Sequence, residues 1–127
     1  MFDQELRGIF ESMAQDTPGF IAASLVDLET GLMMAEYSRD SEFDLASASG
    51  LVGAQVAQQL VTLRELDLPS QFEDIMVVLP TQVHLIVQVS ESVFAFLVAN
   101  RRVAGIGLLR TMLQKRKSQL LECLGAV

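Results

Sequence analysis

The 127 residues include no tryptophan, one cysteine, one histidine, one tyrosine and three prolines. The single Cys123 excludes an intrachain disulfide, so nothing signals an oxidising compartment and a cytoplasmic location is expected. His84 and Cys123 have no second His or Cys nearby, which excludes the usual zinc spacings, and no metal or other cofactor is expected. Basic charge is scarce as well: nine Lys and Arg face sixteen Asp and Glu, for a net charge of -7 and a pI near 4.5. Binding to phosphates needs a basic footprint, so nucleic acid is not an expected partner. Long apolar runs are missing. The longest uncharged stretch, Leu45 to Leu63, contains Gln55, Gln58 and Gln59, which a lipid-facing helix disfavours, so no membrane insertion is expected. The opening MFDQELRGIF carries acids rather than a basic start, unlike a secretory signal.

What is present is apolar bulk in a short chain. Half the residues are hydrophobic and mean hydropathy is +0.37, well above a disordered composition. The length fits one domain, 1–127, and a small domain this apolar often hides part of its surface in an oligomer interface. Charge is unevenly spread. Residues 1–100 hold only Arg7, Arg39 and Arg64, whereas Arg101, Arg102, Arg110, Lys115, Arg116 and Lys117 crowd the remainder, where Glu122 is the only acid. Such asymmetry marks a face that folds back on its own domain or meets a charged partner.

Periodicity predicts the elements. Phe2, Leu6, Ile9, Phe10 and Met13 recur at helical spacing with charges between them, and Asp16-Thr17-Pro18-Gly19 ends that helix. Phe20–Asp27 reads as a strand apolar on both faces, and Leu32–Tyr37 as its hairpin partner after a turn ending in Gly31. The polar Asp40–Asp44 segment supplies caps for a helix over Leu45–Leu66. Along that helix Ala46, Gly50, Gly53, Ala54 and Ala57 form a small-residue stripe. Interior glycines cost about 1 kcal/mol each against alanine, so close packing is expected there. Three strands follow: Asp74–Leu79; Gln82–Val89, alternating apolar and polar; and Val93–Ala99, apolar on both faces and so central. From about Val103 the chain turns helical again. The order α-β-β-α-β-β-β-α predicts an α+β fold: a five-stranded antiparallel sheet with helices on both faces.

Candidate chemistry is thin. Gly105-Ile106-Gly107 precedes a helix, but the dinucleotide fingerprint needs a third spaced glycine and a strand-helix-strand setting, so close packing is the better reading. Asp27 before a glycine turn is expected to bond its own loop, and Glu73-Asp74 and the acids at 40–44 lack the alternating ligands of a calcium loop. Met33 and Met34 read as core filler, and Cys123 as a packing residue of the last helix. No nucleophile, base and orienting group can be assembled, so no enzyme is expected. Lys115-Arg116-Lys117 span nearly a full helical circumference, so at least one of them must face solvent or a partner.

Pro18-Gly19 leading into the strand that ends at Asp27, the tight Gly31 turn, the Ala/Ser/Gly-rich second helix, and Ala99-Asn100 before Gly105-Ile106-Gly107-Leu108-Leu109-Arg110 together resemble the roadblock/dynein light chain domain family. The resemblance spans residues 2 to about 122. It implies a roadblock/longin/profilin-like fold and a non-catalytic homodimeric regulator or scaffold that binds a Ras-like small GTPase and modulates its nucleotide cycle. The alternative it implies is a light-chain-like adaptor subunit in a motor or signalling complex, independent of nucleotide. In such a dimer the second helices pack together and the following strands join edge to edge, which here would use Ala46, Gly50, Gly53, Ala54, Ala57, Ile75 and Val77. Arg110, Lys115, Arg116 and Lys117 are then candidates for contact with an acidic partner.

Overall fold

A computed structural model describes the backbone of residues 2–125 and the side chains of residues 4–125. The Phe2 position of the first apolar stripe and residues 1, 126 and 127 of the expected domain therefore lie outside the described residues or side chains. The elements are α1 (Phe2–Asp16), β1 (Phe20–Asp27), β2 (Met33–Ser38), α2 (Leu45–Glu65), β3 (Asp74–Val78), β4 (Gln82–Gln88), β5 (Val93–Asn100) and α3 (Ile106–Cys123). The strands form one antiparallel sheet in the order β2-β1-β5-β4-β3. The two strands that are apolar on both faces, β1 and β5, lie side by side in its interior, where both surfaces need cover.

The sheet separates two cores. Leu6, Phe10 and Met13 of α1 and Leu109, Leu113 and Leu120 of α3 pack on the face carrying Leu25, Leu85, Val87, Ala95 and Leu97. Val56 and Leu60 of α2 cover the opposite face with Ala22, Val26, Ile86, Phe94, Phe96 and Val98. Alternation along each strand sends successive side chains to opposite cores. One buried polar contact ties α2 down: the hydroxyls of Ser24 and Ser49 lie 2.8 Å apart.

Local chemistry sets the ends of the elements. The Ser47 amide and hydroxyl donate to the Asp44 carboxylate at 3.1 and 2.7 Å, the expected cap of α2, and these bonds hold that carboxyl below its ordinary pKa, the hydroxyl bond contributing most. Gly19 sits at φ 77, and a Cβ there would stand only 3.1 Å from the Asn100 carbonyl oxygen, so a side chain is barred twice over. The last helix starts at Ile106 rather than about Val103. The reason is Asn100: its carbonyl accepts from the amides of Val103 and Ala104, and its side chain accepts from Arg102, which holds the intervening residues in a turn.

The small stripe of α2 is not uniformly packed. A Cβ on Gly53 would meet the Phe94 ring at 3.8 Å and Val26 at 4.0 Å, ordinary contact, whereas one on Gly50 would meet nothing within 4 Å. Gly50→Ala is therefore expected to raise stability by about 1 kcal/mol, read as a higher urea midpoint at unchanged slope.

The two sheet edges differ. β2 slips register between Leu25 and Val26 and presents the exposed Glu36, devices that blunt an edge. β3 runs as a regular ladder against β4 from Asp74↔Val87 to Val78↔Val83.

Candidate interaction site

The free edge of β3 follows from hydrogen-bond parity. Antiparallel pairs alternate between those that exchange N–H···O bonds and those that do not. The Leu79 amide donates to the Gln82 carbonyl at 2.8 Å, so Val77 and Ile75 are the next residues to bond β4, opposite His84 and Ile86. The amides and carbonyls of Asp74, Met76 and Val78 therefore point away from the sheet. The parity on β4 agrees, because Val89 bonds Val93 and so assigns Val83, Leu85 and Val87 to β5. Ile75 and Val77 share the sheet face covered by α2, while Asp74, Met76 and Val78 share the other. Val77 and Val78 are 41% and 44% exposed, a high value for valine in a strand.

On α2, Leu51 is 71% exposed and Gln55 and Gln59 are also open. Gly53 points at β1 and β5, and Ala57, one turn on, borders a groove with Leu28 and Glu29 beyond the end of β1. The stripe of Ala46, Gly50, Gly53 and Ala57 thus turns toward the β1 and β2 side. The flank that leans toward β4 and β3 carries Ala48, Val52, Gln55 and Gln59 instead, as the right-handed winding of the helix requires. This separates residues that the sequence reading placed on one surface: Ile75 and Val77 lie at the β3 edge, Gly53 packs on its own sheet, Ala46, Gly50 and Ala57 are exposed on the α2 flank toward β1 and β2, and Ala54 is exposed as well.

The basic residues of α3 lie across the sheet from α2. Arg110 meets the Asp74 carboxylate at 3.0 Å and Arg116 meets Asp16 at 2.8 Å, so these two answer acids of the same chain. Lys115 and Lys117 make no ion pair among the described residues. The first pair joins residues 36 positions apart and the second 100, spacings that no local pattern reveals.

The groups with catalytic potential stay apart. His84 belongs to the α2 face, edge-on to Phe43 and Phe96 and 2.9 Å from Gln82 Oε1. Cys123 is on α3 beyond the opposite face, 3.8 Å from Glu5 Oε2; burial first, then the Glu5 charge, push its thiol pKa up and so make it a poorer nucleophile. Asp27 bonds its own turn through the Glu29 and Gly31 amides. Among the described residues no three His, Cys, Asp or Glu side chains converge on a point, and no helix is long and apolar enough to cross a membrane.

Burial also depresses the His84 pKa below its ordinary 6.5. The unfolded chain then takes up the proton before the folded one does. Stability should therefore fall as pH drops through about 6.5 and stay flat above it, where both states are neutral. His84→Gln should remove that component of a pH series of urea melts.

No protein-family model matches the sequence, and no curated protein matches it either. Solved structures do. The chain superposes on MglB of Myxococcus xanthus with a TM-score of 0.86 at 15% identity, over 97% of this chain and 90% of that one. A Roadblock/LC7 domain from Streptomyces avermitilis gives 0.79 at 12% identity, over 93% and 96% respectively. An MglB structure with a tetrameric arrangement gives 0.83 at 16% identity, over 99% and 92%.

Proposed function

For a chain with the roadblock/LC7 fold, we propose a non-catalytic, homodimeric regulator or scaffold that binds a Ras-like small GTPase and modulates its nucleotide cycle. The observation that carries the reading is the regular, apolar and unpaired edge of β3, whose Ile75 and Val77 face the same side as the open flank of α2. An exposed edge of this kind is a template for another strand. A second copy satisfies it best with Met76 opposite the partner's Met76 and Asp74 opposite the partner's Val78, because every outward amide and carbonyl of β3 then finds a mate. That register sets Ile75 beside the partner's Val77 on the helical side, an apolar pair of the kind that stabilises sheets. The flank of α2 with Ala48, Leu51, Val52 and Gln55 closes over the junction.

The GTPase assignment draws on the roadblock resemblance, and the likeness to MglB supports the fold that the resemblance requires. Lys115 and Lys117, lying across the sheet from the dimer contact, remain available to an acidic partner. Two measurements test the reading. Sedimentation at micromolar concentration is expected to show a dimer, and immobilised protein is expected to retain a small GTPase from its native lysate with a preference between GTP and GDP. A monomer that retains no GTPase in either nucleotide overturns it. Retention of a partner without regard to nucleotide favours the light-chain-like adaptor.

A further inference from the structure

Beyond the end of α2 the chain runs through Leu66 to Glu73 before entering β3, and this segment, the β4–β5 turn and Lys117 enclose a groove of about 760 Å³. Its apolar wall is Leu63, Leu68, Pro69 and Phe72. At its base stands Gln88, a polar side chain only 5% exposed. The Phe72 amide donates to Gln88 Oε1 at 2.9 Å, which fixes the orientation of the carboxamide, since only the oxygen can accept. Gln88 Nε2 has no partner among the described residues, yet no buried side-chain nitrogen or oxygen is sealed away without one, so this nitrogen opens on the groove. Open to solvent, this nitrogen is a donor that a ligand acceptor can take over from water.

Charge narrows what that acceptor belongs to. Among the described residues Glu73 and Glu91 at the rim make no ion pair, and the carboxyl end of α2 adds negative potential that Arg64 in its last turn partly offsets. Among the described residues Lys117 is the one cation lining the groove. From this placement we infer that the groove docks an extended peptide segment in which a leucine-sized side chain is flanked by lysine or arginine. The side chain packs between Leu63, Leu68 and Phe72, a backbone carbonyl accepts from Gln88 Nε2, and the flanking cations meet Glu73 and Glu91. The groove is built within one chain, so this inference needs neither the dimer nor the GTPase, and it shares with the surface offered to an acidic partner only Lys117 at its rim. It gives the protein a second attachment point, selective for basic-apolar segments.

Nitrogen–proton correlation spectra of the whole protein provide the test, with three short blocked peptides as probes: alternating lysine and leucine, alternating glutamate and leucine, and alternating lysine and serine. The lysine–leucine peptide is expected to shift the Gln88 side-chain amide signals saturably, and the other two to leave them unmoved. Glu91→Lys, an exposed change that leaves the fold alone, should weaken the lysine–leucine peptide about fivefold, the scale of a surface ion pair. Leu68→Ser should weaken it about tenfold or more. The inference is overturned if the Gln88 signals do not move at millimolar peptide, if the glutamate–leucine peptide binds as well, or if the lysine–serine peptide does.

Discussion

Val78→Pro is expected to convert the protein to a folded monomer, with self-association about a hundredfold weaker. The direction of one amide decides the outcome. Val78 N–H points away from β4, so proline removes no bond of the chain's own ladder, and edge positions of this kind tolerate proline. In the proposed pairing the same amide donates to the partner's Asp74 carbonyl. Symmetry repeats the loss, and about 1.5 kcal/mol at each site gives roughly 3 kcal/mol, or two decades in dissociation constant. Val77→Pro, one residue away, is the control. Its amide bonds β4 opposite His84, so that substitution should cost the monomer itself on the order of 2–4 kcal/mol. Sedimentation velocity with circular dichroism on both variants separates the cases. A Val78→Pro protein that still dimerises with wild-type affinity would mean that association, if any, does not use this edge.

Phe96→Ala should produce the largest loss of stability, about 3–5 kcal/mol, lowering the melting temperature by roughly 10–20 °C. Phe96 is fully buried at the middle of the central strand, in the cluster with Ala22, Val26, Phe94 and Val98, where lost volume leaves a cavity. Its ring also supports His84 edge-on with centroids 5.6 Å apart, so the pH-dependent component of stability should shrink in the same variant. Calorimetry at pH 7.5 and 5.5 checks both effects. A drop of less than about 1 kcal/mol would mean that the α2 face packs more loosely than its buried surface indicates.

The fold was legible in the sequence because period and polarity were clean. Val83, Leu85 and Val87 alternate with Gln82 and His84, which stay part-exposed on the α2 side before Ile86 is buried there, and Phe94 to Ala99 is apolar throughout, as a central strand requires. The start of α3 was harder to read, since the turn before it depends on the Asn100 carbonyl and carboxamide rather than on a glycine or proline. Of the surface proposed for self-pairing, the sequence pointed to only part. Ile75 and Val77 stood out by composition, but the small stripe of α2 gave no hint of which side of the sheet it faces, because a helical wheel carries no information about where the neighbouring strands lie. The pairing of Arg110 with Asp74 and the open amide of Gln88 were invisible for the same reason: each depends on contacts between distant parts of the chain.

The difference between the two sheet edges sets how many copies can join. A sheet with two receptive edges has a valence of two and adds copies without limit, the geometry of a fibre. Here the slipped register and the charge on β2 cap one end, while β3 stays open. In the proposed pairing its edges give the chain a valence of one. A surface that can be used only once closes on a two-fold axis and stops, so edge-to-edge pairing yields a particle of fixed size at any concentration high enough to form it.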